Sequence, residues 1–190
     1  MMDYKNQKLP LICSLADAIA STTSVHTVSS FLDPDRSFEK PLFKFTYHVH
    51  ELFVFHDVIE PMEGRALPTC DDMKRWIRVV QKTIDHRETL LIHCHMGLSR
   101  SVAAAAVAAY MLDAIPMEDI PGWLRRNRPN AWPNSLMLSY ADKILGANGK
   151  LSEIGLATRL ATLHEQPEWV ETLRGTHRRR EVDEVMALLA

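Results

Sequence analysis

One short stretch of the 190-residue chain gathers residue types that do chemistry together: His93-Cys94-His95-Met96-Gly97-Leu98-Ser99-Arg100-Ser101. The apolar run 89–93 in front of it reads as a short buried strand, and the alanine-rich run 101–112 behind it as a strong helix former. A cysteine closing a strand and an arginine six positions later, at the first turn of a helix, enclose a five-residue loop. Such a loop wraps so that successive backbone N–H groups point inward, and together with the helix N-terminus it cradles a tetrahedral dianion. Gly97 supplies freedom for φ > 0 or for close backbone approach in mid-loop. Arg100 offers its planar fork to two non-bridging oxygens.

The same donors act on sulfur. Loop N–H groups, a helix N-terminus and an arginine converging on a cysteine favour the thiolate, which is the nucleophilic form. Beside a bound phosphate it attacks in line and gives a cysteinyl-phosphate. The loop dipoles and Arg100 stabilise the charge that builds on the equatorial oxygens, so the chemistry asks for no metal and no cofactor. Ser101 is placed to donate a hydrogen bond to the departing sulfur, and His93 to orient the loop through its ring. An inert buried cysteine is the ordinary alternative. The joint presence of His93, Gly97 and Arg100 around Cys94, between a strand and a helix, argues against it.

Protonating the leaving group takes a carboxylic acid on a loop that reaches the ester oxygen. Asp57 is the first candidate, because it follows the strand-like run 52–55 and precedes the turn-rich Glu60-Pro61-Met62-Glu63-Gly64. Glu60, Glu63, Asp71 and Asp72 are rivals. The two aspartates stand just after Thr69, where a helix start already accounts for them.

His93-Cys94-x5-Arg100-Ser101 resembles the signature of the cysteine-dependent protein tyrosine phosphatases, and its wording is most similar to the dual-specificity branch and its bacterial relatives. Low-molecular-weight phosphatases place this loop near the N-terminus and rhodaneses usually shorten it by a residue, so both fit less well. The resemblance covers roughly residues 9–148. It implies the family's α/β fold, a central mostly parallel sheet flanked by helices, without a metal. It also implies Cys94 as nucleophile, Arg100 as phosphate clamp and Ser101 as the thiolate-stabilising hydroxyl. His95, Met96, Gly97, Leu98 and Ser99 would complete the phosphate loop, and Asp57 would be the general acid. The interval of 37 residues from Asp57 to Cys94 is slightly longer than the family's usual one. The segment from Arg128-Pro129 to Pro133-Asn134 is similar to the Arg-Pro-x-x-x-Pro-Asn run that follows the signature helix. That likeness implies that Asn134 hydrogen-bonds the catalytic loop and that Arg128 supports the loop or the sheet.

The activity so implied is phosphomonoester hydrolysis, foremost on phosphotyrosine in a protein or peptide, with phosphoserine and phosphothreonine left open. The Trp-Pro-Asp motif and the lysine-asparagine-arginine-tyrosine recognition run of the tyrosine-specific branch are absent. Phosphoinositides are the runner-up substrate, disfavoured because His95 is the only cationic insert between Cys94 and Arg100. An adaptor that holds phosphate without turnover is the other alternative, and the intact Cys94, Arg100 and Ser101 weigh against it.

Positioning these residues takes a scaffold. Strand-like runs at 9–14, 25–32, 47–55 and 89–93 alternate with helix-like runs at 15–20, 101–112, 117–126 and 135–145. A further helix starts after Thr69, with Met73, Trp76, Ile77, Val80 and Ile84 at helical spacing. This order predicts an α/β fold with a mainly parallel sheet. Asn148-Gly149 punctuates the chain, dividing a domain over 1–149 from a helical extension over 150–190. In that extension His177-Arg178-Arg179-Arg180 reads as a solvated helix start or hinge rather than an anion site. Trp76, Trp123 and Trp169 read as core, and Trp132 as a candidate pocket wall. His48 and His50 alternate on one strand with no third metal ligand and read as surface residues.

Composition sets the outer limits. With 46% apolar and 24% charged residues the chain is globular rather than disordered. Its 22 Lys and Arg against 24 Asp and Glu leave a net charge of −2, so no global field holds nucleic acid or an anionic membrane. Cys13, Cys70 and Cys94 form neither a disulfide framework nor a zinc pattern. The first residues lack the apolar core of a signal peptide, and the longest apolar run, 102–112, is far below the ~20 residues of a membrane span. A cytoplasmic protein with no nucleic-acid or membrane partner is the expectation, its oligomeric state open.

Overall fold

The protein is described by a computed structural model covering residues 8–36 and 41–189. Four strands, β1 (Leu11–Ser14), β2 (Thr27–Leu32), β3 (Val49–Val54) and β4 (Leu90–Cys94), form one all-parallel sheet in the order β1-β4-β2-β3. Helices α1 (Leu15–Ala20), α2 (Cys70–His86), α3 (Arg100–Leu112), α4 (Ile120–Asn127) and α5 (Ser135–Leu145) flank it, followed by α6 (Lys150–Glu165), α7 (Trp169–Arg174) and α8 (Arg179–Leu189). The α/β architecture with a parallel sheet is therefore the one the alternation predicts. The expected helix over 117–126 opens instead as a 3-10 turn, Met117–Asp119. Pro121 fits an α-helix only in its first turn, so the α-helical part begins beside it.

Alternation along each strand decides the two faces. Leu90, Ile92 and Cys94 join Phe31, Phe53 and the helices in the main core, whereas Leu91 packs with Ala18, Val25, Val28 and Phe45 on the other face. Phe31 and Phe53 stack 4.6 Å apart on adjacent strands, and Trp76 of α2 meets both edge-on. Helix α3 is buried from Arg100 through Ala109. Its alanines let neighbouring helices approach closely, and the Trp76 indole donates to the Ala104 carbonyl at 3.1 Å. A helix that is small and apolar all round has no solvent face to present.

Helix α2 starts where Thr69 predicts. Thr69 and Asp72 form a reciprocal capping box, and Asp71 pairs with Lys74. The helices after Gly149 pack back on the rest of the molecule. Leu151 and Ile154 of α6 enter the main core, while Leu163, Leu173, Val182 and Val185 close over Trp132 in a separate cluster. Among the described residues no helix is long and apolar enough to cross a membrane.

Four parallel strands bring their C-terminal ends to one edge, the edge where open α/β sheets bind ligands. Cys94 closes β4, Asp33 follows β2, and Asp57 lies just beyond β3. The predicted chemistry and its candidate acid thus come together by topology.

Candidate active site

The loop from Cys94 to Arg100 is built by turning its carbonyls outward. The Leu15 N–H donates to His95 O at 3.2 Å, Arg128 Nη2 to Met96 O at 3.0 Å, and the Trp132 N–H to Leu98 O at 2.7 Å. With three carbonyls fastened from outside, the amides between them are free to face the loop interior. The Gly97 N–H donates to Cys94 Sγ at 3.3 Å, and Ser101 Oγ lies 3.2 Å from the same sulfur. Gly97 takes φ +70° and passes so close to β1 that a Cβ there would lie 2.7 Å from Cys13 C and Ser14 N. Both uses of glycine, positive φ and close approach, apply at once.

Arg100 is 3% exposed. Its Nη1 donates to Phe55 O at 2.6 Å and lies 2.8 Å from Asp33 Oδ1, while its buried Nε has no partner. A guanidinium held along one side, with an unmade donor left, is ready for an anion. Asp33 also donates its N–H to His95 Nε2 at 3.1 Å. Ser99, at the N-cap of α3, caps nothing with its side chain and gives its hydroxyl to Asp57 Oδ1 at 2.9 Å. The first turn of α3 therefore keeps its N–H groups for the loop.

Asp57 faces the same cleft of about 460 Å³ that holds Cys94 and Arg100. Its Oδ1 accepts from Ser99, from Asn134 Nδ2 at 3.0 Å and from Arg178 Nη2. Burial acts to raise its pKa, but the Arg178 and Arg100 guanidiniums and the hydrogen bonds from Asn134 and Ser99 outweigh it and hold the carboxyl at about 2. Asp57 is thus ionised in the unliganded protein. Burial and the neighbouring His50 push His93 down to about 4, so it is neutral, its Nε2 2.5 Å from Ser30 Oγ. Burial, with Asp17, pushes the Cys13 thiol up to about 12.

No family model matches the sequence, and no curated protein matches it. Solved structures do match in shape. The human tyrosine phosphatase-like serine/threonine/tyrosine-interacting protein superposes with a TM-score of 0.50 at 14% identity, over 66% of this chain and 79% of that one. A variant of human DUSP28 gives 0.50 at 15%, over 73% and 98%. A mouse putative dual specificity phosphatase, solved with zinc tungstate, gives 0.50 at 14%, over 74% and 92%. The chain has the dual-specificity phosphatase fold. At these identities the likeness is one of fold, and it is this phosphatase fold that sets the Cys94 loop at the end of a central strand.

Several expectations change against that frame. Asn134 does not hydrogen-bond the Cys94 loop. Its Oδ1 caps α5 through the Met137 N–H, which leaves Nδ2 turned toward Asp57 and Val58 O. The cluster at 177–180 is not simply a solvated hinge, because Arg178 is 4% exposed and paired with Asp57 and Glu181. Trp169 is core on one side only: half-buried, it packs against the cluster around Trp132 and also lines the cleft. His50 is half-buried, its Nε2 2.7 Å from Ser30 Oγ, because β3 pairs with β2 in the register that sets it there. From the sequence Asp33 has no role, and Arg178 stands only within a basic run that reads as solvated. An aspartate immediately after a strand was the signal for the first; the second carried none beyond its charge.

Proposed function

We propose that this protein is a cysteine-dependent phosphomonoester hydrolase acting on phosphotyrosine in protein or peptide substrates. The observation that carries the reading is the sulfur of Cys94, which takes the Gly97 N–H and lines one cleft with Arg100, whose Nε has no partner. The phosphate dianion sits in the loop on its inward amides and Arg100. Cys94 Sγ attacks phosphorus, the P–O ester bond breaks, and the leaving oxygen takes a proton from Asp57. Water then attacks the cysteinyl-phosphate, giving its proton to the Asp57 carboxylate, and the thiolate departs toward the Ser101 hydroxyl.

Asp57 serves both steps only if substrate binding changes its proton affinity. A dianion arriving beside Arg100 competes for the positive charge that holds Asp57 ionised, and so raises its proton affinity when the acid is needed. After transfer the arginines again favour the carboxylate, which is the base the second step uses. Trp132, Trp169, Leu173 and Met62 on the cleft walls support an aryl rather than an alkyl ester. His95, Met96, Gly97, Leu98 and Ser99 act as the phosphate loop, with His93 and Arg128 holding it in place.

The deciding experiment is hydrolysis of para-nitrophenyl phosphate in EDTA by the parent and by Cys94→Ser. Vanadate-sensitive turnover that disappears in the variant is expected. Absence of turnover in folded, reduced protein that still binds phosphotyrosine peptide would replace this reading with phosphate binding alone.

A further inference from the structure

We propose that Arg178, carried by the C-terminal extension, is a positioning residue of this active site. It fixes which oxygen of Asp57 carries the transferred proton and ties that residue to the phosphate loop through Ser99. The inference rests on the hydrolase reading above and adds a part to it that lies outside the signature loop.

The geometry is convergent. Arg178 Nη2 reaches Asp57 Oδ1, the Asp57 carbonyl at 3.2 Å and Ser99 Oγ at 2.6 Å. Ser99 and Asn134 donate to the same Oδ1. An oxygen that accepts three donors has no room for a proton of its own, so in the acid form the proton resides on Oδ2. A carboxylic acid free to swap its oxygens would present the proton to the cleft only part of the time. Fixing the oxygen contributes to orientation, the part of catalysis most sensitive to small misplacements.

Arg178 is itself held from behind. Its Nη1 lies 3.3 Å from Glu181 Oε2, a carboxylate 1% exposed that also accepts the Trp132 indole at 2.7 Å and the Ser135 N–H at 2.9 Å. Arg159 stands 3.9 Å from Glu181 on the far side. The half-buried Asp57, the buried Glu181 and the two buried guanidiniums thus alternate from the cleft to α6, which satisfies the charges and removes the freedom a surface arginine would have. Trp132 belongs to both sides of this arrangement, since its N–H holds the loop at Leu98 O. The extension, the acid and the phosphate loop share one hydrogen-bonded frame.

The charge of Arg178 has a consequence for pH. Asp57 faces Arg178 from the extension and Arg100 from α3. Asp33, His56, His95 and His177 share the cleft, and Glu181 with Arg159 stands behind Arg178. Removing the Arg178 charge leaves Asp57 with one guanidinium instead of two and lets it hold its proton to higher pH. A purely structural arginine would not move that limb.

The test compares the parent with Arg178→Gln and Arg178→Lys, using phenyl phosphate and para-nitrophenyl phosphate across pH 4 to 8. In Arg178→Gln, kcat on phenyl phosphate is expected to fall tenfold or more, and much less on para-nitrophenyl phosphate. The alkaline limb of kcat, which reports Asp57 in the substrate complex where its proton affinity is raised, should move up by about one pH unit. Arg178→Lys keeps the charge but not the fork, so its limb should stay near the parent's while the leaving-group sensitivity persists. Titration of the Asp57 carboxyl carbon by NMR, in the parent and in both variants, reads the coupling without turnover. Unchanged limbs, unchanged leaving-group sensitivity and an unmoved Asp57 titration in folded variants would overturn the proposal. A parent without Cys94-dependent turnover would instead remove the hydrolase reading, and the carbon titration would still decide whether Arg178 governs Asp57.

Discussion

A methyl group at position 97 would collide with main chain, since the nearest atoms, Cys13 C and Ser14 N, belong to β1 and its end and have no side-chain freedom to yield. Gly97→Ala also forces a Cβ onto a residue at φ +70°. We expect the substitution to destabilise the fold by about 1–3 kcal/mol in urea unfolding and to weaken vanadate binding at least tenfold. Parental vanadate affinity would show that the loop does not depend on this approach. Asp57→Asn keeps the shape and the acceptor Oδ1 but removes the proton. Turnover of phenyl phosphate should drop by about 10² or more, and that of para-nitrophenyl phosphate, whose leaving group departs unaided, far less. Equal losses on both esters would remove Asp57 from proton transfer. Cys94, Gly97, Arg100 and Ser101 were legible in the sequence because their geometry is local: one loop between one strand and one helix places them all. Arg178 was not, because it stands 79 residues from Ser99 and its burial depends on Asp57 and Glu181, which it meets only after folding. A run of basic residues looks solvated until its partners are known.

Elements were readable wherever a local signal ends them. Thr69 with Asp72 opens α2 and Asn134 opens α5, each by a side chain accepting from the first-turn amides. Gly146 closes α5 in the left-handed conformation. Strand ends were read less well, because pairing rather than composition decides them: Val25 and His26 look strand-like, yet the β2 register with β3 and β4 begins at Thr27. Helix α6 shows a third case. Its N-cap is Gly149, which has no side chain to offer, and the cap comes from another element. Asp142 of α5 accepts the Leu151 N–H and the Ser152 N–H, both at 2.9 Å, together with the Ser152 hydroxyl. That carboxylate fastens the start of α6, the helix whose Arg159 backs Glu181. Asp142→Ala is expected to cost about 1–2 kcal/mol, a fall in Tm of roughly 2–8 °C for a chain of this size. An unchanged Tm would mean that α6 is seated by its Leu151 and Ile154 packing alone.

Across the molecule as a whole, the shifts of His93 in β4 and of Asp57 just beyond β3 place their titrations in different pH windows. His93 is fully buried among Ser30, His50 and Phe43, and its pKa lies near 4 rather than 6.5. Between those values the unfolded chain takes up a proton that the folded one refuses, so stability falls as pH drops from about 6.5 to about 4. Complete titration of that difference amounts to about 3 kcal/mol. Asp57 follows at lower pH. Its folded pKa of about 2 lies below the ordinary 3.8, so its stabilisation is fully present above about 4 and is lost as pH falls toward 2. The corresponding loss is about 2 kcal/mol. Urea unfolding followed from pH 8 to pH 2 should therefore weaken in two stages. His93→Gln should flatten the slope between pH 6.5 and 4 and leave the lower one, while Asp57→Asn should flatten only the slope below 4. Arg178→Gln, which takes away one of the guanidiniums holding Asp57 ionised, should soften that lower stage without touching the upper one. If Asp57→Asn and Arg178→Gln leave the lower slope unaltered, the clamp between the extension and the acid contributes nothing to holding the molecule together. If they soften it, the Arg178–Asp57 contact also fastens the C-terminal helices over the cleft.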